Sequence, residues 1–84
     1  PDLDFTIDTD ASSTHVGALL NQKDPDTGHP YLVASFSKIL SEAEQKYPIR
    51  EQELLAIRLA LEQWRPYILG KKITIFTDHE SLKY

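Results

Sequence analysis

The sequence contains no cysteine among its 84 residues, and this absence removes two classes of structure. A disulfide framework and a thiolate zinc site both require cysteine, so neither can stabilise this chain. No apolar run approaches the roughly 20 residues that a membrane-spanning helix needs, and we expect no membrane partner. With 40% hydrophobic residues, a chain of this length can build one small core. We therefore predict a single domain over residues 1–84.

The chain also lacks an initiating methionine and has a slight excess of acidic residues. The first feature indicates a segment of a longer polypeptide, so the natural position of both ends stays open. The net charge of -4 argues weakly against nucleic-acid binding, since phosphate contacts call for clustered Lys and Arg. That argument fails if the acids are gathered at a metal site, so their distribution along the chain has to be considered.

Alternation of apolar and polar residues predicts three strands in the first half of the sequence. Leu3, Phe5 and Ile7 alternate with polar residues, which places the first strand at about Leu3 to Thr9. The segment HVGALLNQ is apolar at alternate positions and leads into QKDPDTGHP, a run rich in turn residues. The stretch YLVASFS, up to Ser37, resumes the β-type composition. Three successive strands joined in this way form an antiparallel meander.

The second half of the sequence changes to a helical period. Ser41 and Glu44 match a capping box that opens a short helical turn, and Pro48 suits the first turn of a longer helix that runs from Ile49. Pro66 should kink or end that helix, because proline lacks the N–H group. Apolar residues at three- and four-residue intervals predict one stripe that lies across the sheet, namely Leu54, Ile57, Leu61, Trp64 and Ile68.

A fourth strand follows Gly70, in the segment ITIF, and it ends as the first strand does. Both strands lead into Thr-Asp, at Asp10 and at Asp78. A helical crossover favours a parallel partner, so the fourth strand should lie parallel to the first. The carboxyl ends of parallel neighbours meet at the edge where open sheets bind ligands. Asp10 and Asp78 should therefore lie side by side.

Two adjacent carboxylates repel one another unless a cation lies between them. Glu53 adds a third carboxylate, because its position four residues before Ile57 places it beside the apolar stripe. Three carboxylates without His or Cys suit magnesium, which prefers oxygen ligands and keeps several waters. We predict a magnesium site formed by Asp10, Glu53 and Asp78. Asp8 lies on the same strand face as Asp10 and is the alternative ligand.

The chain resembles a known family in three segments that occur in register. FTIDTDASSTHVGALLNQ, YPIREQELLAIRLALEQWRPYILG and ITIFTDHESL are similar to the RNase H domain of the reverse transcriptase polyprotein of gypsy-type LTR retrotransposons. This resemblance covers nearly the whole chain. It implies an α/β fold, RNase H-like, with a mixed sheet of five strands. It also implies an active site that binds two Mg²⁺ ions, with Mn²⁺ as a substitute, and that hydrolyses the RNA strand of RNA–DNA hybrids.

The resemblance gives the same three carboxylates, Asp10, Glu53 and Asp78, both catalytic and metal-binding roles, with Asp10 bridging the two ions. It implies a fifth strand, further helices and a fourth catalytic carboxylate beyond Tyr84. We therefore expect a truncated fold of four strands, incomplete at its C-terminus and inactive as this chain alone. The implied partners are the hybrid substrate and the polymerase and integrase regions of the polyprotein.

The sequence leaves alternatives open for the residues that contact the substrate and for the function of the chain. Ser12 and Ser13 lie beside Asp10 and could reach the 2′-hydroxyls by which an A-like hybrid is recognised. His79 is either a substrate-side proton shuttle near the metals or a loop residue that donates to the backbone. The chain could instead be a non-catalytic RNase H-like tether module, which predicts loss of the acid triad, or a host-recruited fragment kept for binding.

Overall fold

The computed structural model describes residues 5–77 and 81–83, which contain five strands. They are β1 (Phe5–Ala11), β2 (His15–Lys23), β3 (Pro30–Ile39), β4 (Ile73–Phe76) and β5 (Ser81–Lys83). These strands form one sheet in the order β3-β2-β1-β4-β5. β1 is antiparallel to β2 and parallel to β4, whereas the β2/β3 and β4/β5 pairs are antiparallel. The predicted meander and the parallel fourth strand are therefore confirmed.

The strands differ from the prediction in extent and in number, and the predicted start of the first strand at Leu3 lies outside the described residues. β1 runs on to Ala11 and so includes Asp10, whereas the alternation had placed its end at Thr9. β3 continues past Ser37 to Ile39. β5 is additional to the four predicted strands, and it lies within this chain. A strand of three residues is too short for a periodic pattern to reveal it.

Three helices connect β3 to β4: α1 (Glu42–Gln45), α2 (Ile49–Gln63) and α3 (Arg65–Ile68). The predicted capping box is present, because Ser41 and Glu44 each bond to the other's backbone N–H. Pro48 is the N-cap of α2 and not, as predicted, a residue of its first turn. α2 ends before Pro66, which lies in the first turn of α3, as the missing N–H requires. Among the described residues, no helix has the length and apolar character of a bilayer span.

The main core lies between α2 and one face of the sheet. It is formed by side chains of β1, β2, β4 and the helices, namely Phe5, Ile7, Ala18, Leu20, Ile57, Ala60, Trp64, Ile68, Ile73 and Ile75. The predicted stripe, which continues past the end of α2, is correct at Ile57, Trp64 and Ile68. It is wrong at Leu54, which is 56% exposed. A smaller cluster of Val16, Leu40, Leu55 and Ala56 explains the difference. Burial of Leu55 in that cluster turns its neighbour Leu54, about 100° away around the helix, towards solvent.

Candidate active site

The carboxyl ends of β1 and β4 lie side by side, as the two Thr-Asp strand ends predicted. The last register pair of the parallel ladder joins Asp8 of β1 to Phe76 of β4. Beyond it, the Thr9 hydroxyl donates to the Phe76 carbonyl at 3.4 Å. Asp10 therefore leaves β1 close to where the chain leaves β4. In the sequence, Asp78 follows Phe76 by two positions, but both Asp78 and His79 lie outside the described residues.

Asp10 lies on the sheet face opposite to the main core. Side chains of β1 alternate, with Phe5, Ile7 and Thr9 buried, whereas Asp10 is exposed. Its register partner across the β1/β2 pair is Gly17, which has no side chain to occupy the space beside it. As the next-to-last residue of β1, Asp10 lies at the carboxyl end of the central strand of the sheet. A ligand bound at this end can be reached from both faces of the sheet.

An open depression of about 300 Å³ is lined in part by Asp10. Its lining in the described part of the chain includes two carboxylates and no Lys or Arg, and consists of Asp8, Thr9, Asp10, Gly17, Ala18, Leu19 and Phe36. Carboxylates without a basic partner repel each other and favour a bound cation. Oxygen donors of this kind are the ligands that Mg²⁺ prefers, so the residues at this end of the sheet fit that ion.

Asp8, the alternative ligand, is held by a neighbour. Asn21 Nδ2 donates to Asp8 Oδ2 at 2.8 Å, and the pair is partly buried. Asp10 is the more exposed of the two carboxylates, which favours Asp10 as the ligand. Sequence reasoning missed Asn21. The bond crosses diagonally between β1 and β2, because the direct register partner of Asn21 is Thr6, and only the pairing register reveals it.

Glu53 lies in α2, where it is half-buried. Its helical neighbours at i+4, i+7 and i+11 are buried, namely Ile57, Ala60 and Trp64. Glu53 therefore lies beside the apolar stripe, as predicted, and it makes an interaction within the structure. Among the described residues, no three Asp, Glu, His or Cys side chains gather as a metal site. Since Asp78 is outside that set, the assignment of Asp10, Glu53 and Asp78 as ligands stays a prediction.

The two serines after Asp10 have different surroundings in the β1–β2 turn. Ser12 Oγ accepts from the backbone N–H groups of Thr14 at 3.3 Å and His15 at 3.0 Å. The backbone N–H of Ser12 also donates to the His15 carbonyl at 2.8 Å. The Ser12 hydroxyl is therefore part of the turn itself. Ser13 is exposed between these bonded positions and is the serine whose hydroxyl is better placed for a ligand.

The sequence and the fold are both similar to those of known proteins. The profile of the family described as RNase H-like domain found in reverse transcriptase matches residues 1–84. The Pol polyprotein from transposon 412 of Drosophila melanogaster is 43% identical over 81 residues, 96% of this chain. The Pol polyprotein from transposon gypsy of the same organism is 40% identical over 81 residues, 95% of this chain. The transposon Tf2-3 polyprotein of Schizosaccharomyces pombe is 38% identical over 78 residues, 90% of this chain.

A similar solved structure is that of the foamy viral protease-reverse transcriptase in complex with RNA/DNA hybrid. It superposes with a TM-score of 0.76 over 93% of this chain at 19% sequence identity, so the likeness is one of fold. The chain spans 10% of that protein. It spans 6% of the transposon 412 and Tf2-3 polyproteins and 7% of the gypsy polyprotein.

Proposed function

The chain belongs to the RNase H-like domains found in reverse transcriptase, and on this premise we propose that it is the RNase H nuclease domain of a retroelement reverse transcriptase. Its reaction is hydrolysis of the RNA strand of an RNA–DNA hybrid. The observation that carries the proposal is the adjacency of the carboxyl ends of β1 and β4, which places Asp10 at an edge suited to a ligand. Support also comes from the Pol polyproteins that the chain resembles.

In the proposed reaction, Asp10, Glu53 and Asp78 hold two Mg²⁺ ions. The ions, when bound, supply a hydroxide nucleophile and stabilise the leaving 3′ oxygen. Asp10, exposed at the end of β1, and Glu53, in the first turns of α2, would hold the ions together with Asp78. The cations held by these carboxylates would attract the phosphates of the hybrid to a protein whose own net charge is -4.

Ser13 and His79 are the proposed substrate contacts, with Ser12 shaping the turn that presents Ser13. A hydroxyl beside Asp10 can bond to a ribose 2′-hydroxyl, the group that distinguishes RNA from DNA. Recognition through this group is insensitive to base sequence. The proposed activity therefore acts on the RNA strand of a hybrid and has no sequence preference.

The proposed partners are the RNA–DNA hybrid and the other regions of a reverse transcriptase polyprotein, including polymerase and integrase regions. Residues 1–84 supply three of the four carboxylates that the family resemblance implies, so we expect these residues alone to leave a hybrid intact. A non-catalytic tether module is the second candidate. The intact acid triad speaks against it, since a tether has no need of three carboxylates at these positions.

A magnesium titration followed by NMR tests the proposed site. Amide signals around Asp10, Glu53 and Asp78 should move together, with a dissociation constant in the millimolar range, because Mg²⁺ normally needs substrate phosphates to complete its shell. Asp10→Asn should remove these shifts. Asp26→Asn is the matched control, since Asp26 lies in the exposed β2–β3 loop, where its N–H bonds to Asp24. Shifts confined to Asp24 and Asp26 would contradict the assignment.

A further inference from the structure

Two polar side chains are buried among the described residues, and each directly precedes a predicted metal ligand. Thr9 is 7% exposed and precedes Asp10, and Gln52 is 3% exposed and precedes Glu53. The other buried side chains in this part of the chain are apolar. An apolar residue of similar shape would satisfy the packing at either position, so the polar groups call for a separate explanation.

Thr9 joins the two strands that end at the site. The backbone register between β1 and β4 stops at Asp8 and Phe76, and the Thr9 hydroxyl then donates to the Phe76 carbonyl at 3.4 Å. This bond connects the strands one residue beyond the ladder, immediately before Asp10. Because Thr9 is 7% exposed, little water reaches its hydroxyl to compete with the carbonyl. Thr9 thus limits how far the carboxyl end of β1 can move from that of β4.

Gln52 fixes the start of α2. Its Nε2 donates to the carbonyls of Glu44 and Gln45, both at 3.4 Å, at the end of α1. Helix α1 is in turn attached to the sheet, because Lys38 of β3 contacts the Glu44 carboxylate at 2.8 Å. The turn of α2 that carries Glu53 is therefore connected to the sheet through α1 as well as through its own apolar face.

We propose that Thr9 and Gln52 are positioning residues, which hold the backbone of Asp10 and Glu53 so that the two carboxylates face the same metal site. This inference rests on the proposed function. In both cases the buried side chain makes the hydrogen bonds, and the residue that follows it is a predicted metal ligand. Every buried side-chain nitrogen and oxygen in the described part of the chain has a partner. Fully satisfied buried polar groups of this kind specify one arrangement of the elements that they join.

Magnesium affinity, measured by NMR on the 84-residue chain, tests positioning separately from stability. Thr9→Val and Gln52→Leu should each weaken Mg²⁺ binding roughly tenfold, the usual effect of losing a group that orients a ligand. Thr9→Ser retains the hydroxyl and should bind within about twofold of the wild type even if it unfolds more easily. Thr6→Val and Gln63→Leu are the matched controls, since both residues lie away from these bonds, and their affinity should be unchanged.

Urea unfolding of each variant, measured in parallel, separates the outcomes. If Thr9→Val and Gln52→Leu unfold at lower urea but bind Mg²⁺ as the wild type does, their roles are structural only and the inference is overturned. Should Thr9→Val fail to fold, Thr9→Ser decides, because weakened Mg²⁺ binding by that variant also contradicts the inference. Asp10→Asn distinguishes a failure of the positioning inference from a failure of the proposed metal site. If it too binds Mg²⁺ normally, the proposed metal site itself is wrong.

Discussion

Ile7 of β1 and Ile75 of β4 are register partners in the parallel pair, and neither side chain has any exposed surface. They lie in the main core beneath α2, close to the end of the sheet that carries Asp10. Packing of this pair holds together the two strands whose ends form the proposed site. The stability of the fold and the geometry of the site therefore depend on the same contacts.

Ile75→Ala should destabilise the protein by about 2–5 kcal/mol, because it removes buried methyl groups and leaves a cavity. That is a large part of the total stability of a small domain, about 5–15 kcal/mol. Ile39→Ala makes the same change at a side chain that is 71% exposed. Its effect should stay within about 0.5 kcal/mol. Urea denaturation measures both, and equal effects at the two positions would show that the parallel pair is not part of the core.

Glu44 should make stability depend on pH in the acidic range. The Lys38 ammonium and the Ser41 backbone N–H, which both bond to the carboxylate, lower the pKa of Glu44 to about 2. In the unfolded chain Glu44 has its ordinary pKa of 4.5, so these bonds stabilise the folded state fully above that pH. The contribution is lost as the pH falls from 4.5 towards 2. Urea unfolding should show the stability difference between wild type and Glu44→Gln narrowing across this window.

Glu62→Gln is the matched control for that experiment. Glu62 is paired with Arg58 at 3.7 Å, but both side chains are well exposed, so the pair contributes little. The difference in unfolding free energy between Glu62→Gln and the wild type should be small at every pH. A Glu44→Gln difference that stays constant from pH 7 to pH 2 would show that the Lys38 and Ser41 contacts do not set the pKa.

Much of the architecture could be predicted because it follows from local patterns. The alternation in β1, the capping box at Ser41 and the break at Pro66 each depend on a few neighbouring residues. The strand order followed from the helical crossover, which imposes a parallel pair on β1 and β4. The candidate carboxylate Asp10 was found in the same way, from its place at a strand end.

What could not be predicted depends on tertiary contacts. Leu54 and Leu55 are equally apolar, and only the small cluster around Leu40 decides which of them is buried. The Asn21 bond to Asp8 exists because of the β1/β2 register. Gln52 is polar and reads as a surface residue, yet the carbonyls at the end of α1 allow it to be buried. Periodicity carries no signal for any of these contacts.

The two serines of the β1–β2 turn should separate structure from substrate binding. Ser12→Ala removes the acceptor for two backbone N–H groups and should destabilise the chain by about 1 kcal/mol. Ser13→Ala should leave stability unchanged and weaken binding of an RNA–DNA hybrid, because a hydroxyl available to the ribose is lost. Urea unfolding and fluorescence anisotropy with labelled hybrid measure the two effects. The reverse pattern would make Ser12 the substrate contact.

Asp10→Asn should abolish hybrid cleavage by a reverse transcriptase that carries this chain. The amide keeps the size of the side chain but removes the negative charge with which, in the proposed site, Asp10 holds the cations. The cleavage rate should therefore fall even though the protein stays folded. Gel-resolved, labelled RNA in a hybrid measures the rate with and without Mg²⁺. Asp26→Asn, in the β2–β3 loop, should cleave as the wild type does. Residues 1–84 alone should leave the RNA intact, and robust Mg²⁺-dependent cleavage by them would show that three carboxylates are sufficient.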